Sequence, residues 1–167
     1  MEYHEDIKYW HTHGYFNGIS GQVACPLISD LVTTFDDTLY DDKNEFWVPK
    51  TTLYFGHTDG VLLLQTLLGL NQDTFPINHD NFQASENRIF RLSKIDPMSS
   101  NIGFLLLNCS SSAYDANPRI MTFLQERPVI LPGCNELACD WNQFKEYYNS
   151  LIYCQFDEIC NNYNDED

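Results

Sequence analysis

The sequence is poor in positive charge: 9 Lys plus Arg stand against 24 Asp plus Glu, a formal −15 over 167 residues. A chain of that sign repels phosphodiester backbones and anionic lipid, so nucleic-acid binding and adsorption to acidic membranes are disfavoured. It lacks any run of 18 apolar residues, so no membrane-spanning helix is expected. The opening MEYHEDIKYW is charged and amphipathic, unlike a secretory leader. Internal repeats and low-complexity linkers are absent as well, and so is any Cys-x-x-Cys pair. That last absence counts against zinc, because GCNELAC (133–139) and CQFDEIC (154–160) have neither the usual spacing nor a flanking histidine. His11 and His13 do not read as a metal pair either, since helical residues two apart face different directions. No metal ion and no organic cofactor is implied.

What is present is core material. Hydrophobic residues make up 43% and aromatics 14%, enough at this length for one packed core rather than a disordered chain. The acidic clusters Asp36-Asp37, Asp41-Asp42 and the tail Asn164–Asp167 read as solvated surface. The six cysteines, Cys25, Cys109, Cys134, Cys139, Cys154 and Cys160, are even in number, which points to disulfides and an oxidising compartment. Disulfides without a leader are in conflict. The expectation that resolves it is a chain beginning inside a longer protein.

Periodicity gives an outline. Tyr3, Ile7 and Trp10 share a helical face over residues 1–13, closed by Gly14, and 14–21 is a loop. Pro26 suits the start of a helix whose stripe Leu27, Ile28, Leu31, Val32, Phe35 and Leu39 runs to Tyr40. Asp41–Lys50 reads as a loop, 51–56 as a strand and 58–69 as a helix with Gly69 near its end. After a polar loop over 71–87, strands are expected at Arg88–Ile95 and Ile102–Cys109, and a third at 120–131, broken by Pro128. LPGCNELACD is turn-rich, and Asp140 is placed to cap a last helix carrying Trp141, Phe144, Tyr148, Leu151 and Ile152. This order suggests an α/β fold with some antiparallel pairing.

The stretch LYFGHTDGVLLLQTLLGL (53–70) carries chemistry. A helix starting just after His57 aims free N–H groups and the positive end of its dipole at whatever lies there, a ready place for phosphate. His57 can donate to a phosphoryl oxygen. An acid two residues on, Asp59, can protonate a leaving alkoxide when its own proton is retained. On position alone the same residues read first as an ordinary helix start, with Asp59 favoured by the dipole and His57 a surface residue.

The stretch resembles the acid-donor segment of the branch-two histidine phosphatases, the acid phosphatase and phytase clan. Within that clan it is most similar to the multiple inositol polyphosphate phosphatase family. That family's His-Ala-Glu and leucine-rich helix correspond to His57-Thr58-Asp59 and the run ending Leu67-Leu68-Gly69-Leu70. The likeness continues in RIFRLSKIDPMSSNIGFLLLNC (88–109), ERPVILPGC (126–134) and YCQFDEIC (153–160), and upstream in DIKYWHTHGY and ACPLISDLVTTFD. It covers nearly the whole chain in order. It implies an incomplete histidine-phosphatase (phosphoglycerate-mutase-like) mixed sheet over 51–167, with 1–50 from the helical accessory region. His57 would bind the transferring phosphoryl group and Asp59 would donate the proton. Two departures stand out: aspartate for glutamate shortens the acid by one methylene, and Gly60 replaces a helix-favouring or hydroxyl residue.

The family's Arg-His-Gly-x-Arg-x-Pro nucleophile segment is absent, and the pattern assigns none of Arg88, Arg91, Arg119 and Arg127 to its phosphate clamp. Without a nucleophile the phosphohistidine route cannot run, so whether this chain alone is an enzyme stays open. The expectation is the C-terminal half of a phosphatase acting on inositol polyphosphates such as phytate, with 2,3-bisphosphoglycerate a further substrate and the N-terminal half as partner. The alternative is a catalytically inactive phosphatase-like protein that binds phosphorylated ligands or partners. The resemblance also implies Cys134–Cys139 closing a small loop and Cys154–Cys160 as a second local pair, with Cys25 and Cys109 joined to each other or to cysteines elsewhere. It further implies secretion or residence in the endoplasmic reticulum lumen for the full-length protein. Asn108, in Asn-Cys-Ser, is a formal glycosylation sequon.

Overall fold

The computed structural model describes residues 1–16, 18–40, 49–108 and 117–161. Helices α1 (Glu2–Thr12), α2 (Cys25–Tyr40) and α3 (Thr58–Leu67) come first, as the apolar stripes predict. A short α4 (Leu92–Ile95) leads into strands β1 (Ile102–Asn108), β2 (Pro118–Leu124), β3 (Arg127–Val129) and β4 (Ala138–Asp140). Helices α5 (Trp141–Tyr147), α6 (Asn149–Ile152) and α7 (Phe156–Asn161) complete the order. The α/β class therefore holds, and the sheet of the described residues is antiparallel throughout.

β2 is its centre. One edge pairs with β1 along the full length, Ile102 opposite Leu124 and Asn108 opposite Pro118. The other edge is divided, its first half taken by β4 and its second by β3. The expected single strand over 120–131 is instead a hairpin. Gln125 and Glu126 both adopt positive φ, 49° and 65°, and reverse the chain before Pro128 is reached. Pro128 then lies exposed on the short outer strand, where a missing N–H costs no ladder bond.

Two further strand expectations fail, each for a physical reason. Arg88–Ile95 is not a strand, because acidic side chains take its backbone N–H groups. Asp73 accepts from Ile89 and Phe90 at 2.7 and 2.9 Å, and Asp6 accepts from Leu92 at 2.9 Å, just where α4 starts. Residues 51–57 make no ladder among the described residues, and each of them is exposed. An apolar run without alternation is stable as a strand only when both faces are covered. Leu53, Tyr54 and Phe55 are 71%, 62% and 92% exposed instead.

Two apolar clusters form the interior. The larger joins Ile28 of α2, Ile120 of β2 and Trp141, Phe144 and Tyr148 around α5, with Leu67 and Leu68 from the end of α3. The smaller packs Trp10 of α1 against Ile77, Phe90 and Ile95, with Leu62 of α3. Helix α3 thus bridges both. Asp140 caps α5 as expected, accepting from the amides of Asn142 and Gln143 at 3.0 Å.

Long-range ties cross residue 50. Cys25 is bonded to Cys154, 129 residues away, in place of the expected Cys154–Cys160 bridge, so Cys25 does not join Cys109. Cys134–Cys139 forms as expected. Cys109 and most of the Asp41–Lys50 loop lie outside the described residues. A bridge closing so long a loop contributes about 5 kcal/mol in the chain-entropy picture, whereas a bridge between near neighbours would contribute much less. The second tie is buried: the Arg88 guanidinium donates through Nε to Asp6 Oδ2 at 2.6 Å and through a second nitrogen to the same oxygen.

Both ties are open to test. A non-reducing digest should recover the Cys25–Cys154 and Cys134–Cys139 peptides; a Cys154–Cys160 peptide would contradict the packing of α2 on the C-terminal helices. Asp6→Ala strands a buried guanidinium and should cost about 3–5 kcal/mol in urea unfolding. A loss below about 1 kcal/mol would mean that Arg88 finds water on its own.

Candidate functional site

The site is built on α3, whose two ends differ. At the C-terminus Gly69 has φ 73°, Leu70 N–H reaches Gln65 O at 2.9 Å and Gly69 N–H reaches Thr66 O at 3.1 Å. That is a Schellman closure, and only glycine takes its left-handed turn without strain. Leu67 and Leu68 bury themselves just there, at roughly 1.5–3 kcal/mol each. The N-terminus carries no such load. His57 is the N-cap residue, extended at φ −112° and ψ 175°, and its side chain makes no capping bond. His57, Asp59 and Gly60 are exposed and Thr58 half-buried. The helix is therefore held from Leu62 to its far end, and its first turn is the exposed part, with the Gly60 N–H turned back to His57 O at 3.0 Å.

The expected pair is thus at the surface of a helix start, with His57 free to turn outward. The segment leading to it is tethered at one point: the Tyr54 hydroxyl donates to the Asp30 carboxylate on α2. That bond, more than burial, raises the Tyr54 phenol above its ordinary pKa. At Gly60 an added Cβ would meet nothing within 4 Å, so the glycine is not required by packing.

The residue that sequence reasoning missed is His13. Its Nε2 lies 2.8 Å from Asp59 Oδ1, with the His13 side chain 19% exposed and that of Asp59 64%. His13 ends α1, and its carbonyl accepts from the Thr66 hydroxyl at 2.7 Å, which ties α1 to α3. Its Nδ1 is 2.7 Å from Thr12 Oγ1, which itself donates to Lys8 O at 3.0 Å. Nothing near residue 13 announces an acid so far along the chain. Only the docking of two helices joins them. A contact with so exposed an acid contributes about 0–1 kcal/mol, too little to make it a device for stability.

The four arginines lie elsewhere. Arg88 is committed to Asp6, Arg91 donates to Glu86 O, and Arg119 is held by Glu136 and Ala138 O. Arg127 is exposed on β3. A cavity of about 600 Å³ opens beside Gly18, Gln22, Leu151 and Cys154, with Glu158 the one charged group on its lining among the described residues. Neither His57 nor Asp59 borders it. The helix start is the better candidate, because it gathers a donor, an acid and a helix dipole whereas the cavity does not bring such groups together. Asn108 is exposed at the last position of β1.

If these groups serve a ligand rather than the fold, their removal should be cheap. His57→Ala and Asp59→Asn should each shift unfolding by no more than about 1 kcal/mol. Leu68→Ala at the far end of the same helix should cost about 2–5 kcal/mol. Gly60→Ala should add about 0.5–1 kcal/mol of stability. A large loss at His57 or Asp59 would make them structural.

No protein-family model matches the chain. Multiple inositol polyphosphate phosphatase 1 of Gallus gallus is 25% identical over 162 residues, 96% of this chain and 36% of that protein. The Drosophila melanogaster protein of the same name is 28% identical over 151 residues, 90% of this chain and 30% of its own length. The Homo sapiens protein is 26% identical over 163 residues, 96% and 34% respectively. The chain thus spans about a third of the length of the curated relatives it matches. The family resemblance read from the motifs holds along nearly the whole chain.

Proposed function

We propose that this chain, a relative of the multiple inositol polyphosphate phosphatases, supplies the C-terminal part of a histidine-type phosphomonoesterase acting on inositol polyphosphates. The observation that carries the reading is the placement of His57 and Asp59 together at the exposed start of α3. In this role His57 donates to the phosphoryl oxygens beside the helix amides. A histidine nucleophile from polypeptide outside this chain attacks phosphorus, and the P–O ester bond breaks. Its electron pair goes to the alcohol oxygen, which takes a proton from Asp59. Water then hydrolyses the phosphohistidine and returns a proton to Asp59.

The exposure of Leu53-Tyr54-Phe55 supports the need for that other polypeptide. The run has the composition of a strand covered on both faces and leads directly to His57. Residues 51–167 would then join a larger sheet, with 1–50 as helical accessory structure. Phytate-like inositol polyphosphates are the proposed substrates and 2,3-bisphosphoglycerate a further one. The two disulfides favour an oxidising compartment, secretory or luminal. The second reading, an inactive phosphatase-like binding protein, is favoured by one observation: no Arg-His-Gly occurs in these residues.

The test is a chimaera in which this chain replaces the matching third of the Drosophila melanogaster relative. Phosphate release from phytate is expected, with Asp59→Asn lowering kcat by about 10²-fold or more and His57→Ala lowering kcat/KM. Turnover indifferent to both substitutions would overturn the site assignment. Phytate binding without turnover would favour the inactive reading.

A further inference from the structure

The His13–Asp59 contact goes beyond these roles, and its proposed part in catalysis rests on Asp59 being the proton donor. We infer that His13 is a positioning residue that fixes the Asp59 carboxyl and shares with it the proton that Asp59 delivers. The geometry is specific about atoms. With the Thr12 hydroxyl donating to Lys8 O at 3.0 Å, its oxygen accepts from His13 Nδ1 at 2.7 Å, and this is the tautomer that the inference takes. The opposite nitrogen, Nε2, is left as the atom that exchanges with Asp59 Oδ1 at 2.8 Å. One further proton therefore belongs to the pair, on Nε2 or on Oδ1. Oδ2 is left to face the ligand.

The ring has few ways to move. The backbone carbonyl of His13 is bound to Thr66, its N–H reaches Tyr9 O at 2.8 Å, and its ring lies 5.1 Å from that of Tyr9. Thr66 lies about two turns beyond Asp59 on the same face of α3, so one helix holds His13 at both ends. An exposed aspartate by itself samples several rotamers. Anchored through Oδ1, it samples fewer and loses less entropy when the substrate arrives. When the ester bond breaks, the shared proton leaves on the alcohol and the pair becomes more negative by one charge. The proton of the hydrolytic water restores it.

Two measurements separate this inference from the phosphatase reading. The first is long-range ¹H–¹⁵N correlation of the histidine rings in the 167-residue chain. A pyrrole-like Nδ1 is expected at His13, and Asp59→Asn should displace its Nε2 resonance while leaving that of His79 in place. A pyridine-like Nδ1, or an Nε2 resonance indifferent to Asp59→Asn, overturns the inference whatever the chain's activity. The second uses the active chimaera. His13→Ala should lower kcat on alkyl phosphates on the order of tenfold or more, yet leave 4-nitrophenyl phosphate within about twofold, since that leaving group needs no proton. His13→Gln, which can hold Oδ1 but not store a proton, should recover part of the loss. Equal losses on both substrates overturn proton sharing. A chimaera with no turnover at all counts against the phosphatase reading, and the nitrogen resonances then decide the inference by themselves.

Discussion

The described structure depends on one buried carboxylate. Asp6 is fully buried, and both its oxygens are used: Oδ2 receives the Arg88 guanidinium and Oδ1 the amide of Leu92. Such a pair gives little net stability, because desolvation consumes most of the attraction, but any arrangement that separates the partners is expensive. It therefore selects a position for α1. With Asp6 fixed, Trp10 reaches the small cluster against Phe90 and Leu62, and the end of α1 comes to the side of α3. The contact between His13 and Asp59 is a consequence of that docking.

Helix α3 converts docking into a site. It contributes Leu67, with Leu68 just past its end, to one cluster and Leu62 to the other, so its axis is set from both sides. Burial from Leu62 onward and the Schellman closure hold the helix, which leaves the first turn exposed without its loss. A local positive end matters in a chain with a formal charge of −15. A polyanionic ligand is repelled by the molecule as a whole. On the proposed reading it would be held where the helix start and His57 combine with groups from outside these residues.

Helices were legible in the sequence wherever an apolar stripe met a stop signal. The Gly14 and Gly69 ends and the Asp140 cap all appear in the structure. Strands were less legible, since a strand needs a partner that local pattern does not identify. Ile102–Asn108 found one in β2, whereas 51–57 did not among the described residues, and Ile89 and Phe90 gave their amides to Asp73 instead. The hairpin at Gln125-Glu126 was hidden because neither residue is a usual left-handed turn former. In the candidate site, His57 and Asp59 stand out through a motif contiguous in sequence. The contact of His13 with Asp59 does not, because it arises only when two helices meet. For the same reason sequence proximity suggested Cys154–Cys160, while the packing of α2 on α6 brings Cys25 to Cys154.

The central claim is that these residues form one half of a two-part phosphatase site. The most direct measurement is to map the 5′ end of the transcript and read the N-terminus of the natural protein by mass spectrometry. The account predicts polypeptide upstream of Met1 carrying an Arg-His-Gly-x-Arg-x-Pro segment. A natural protein that starts at Met1 and is found without any partner supplying that segment would contradict it.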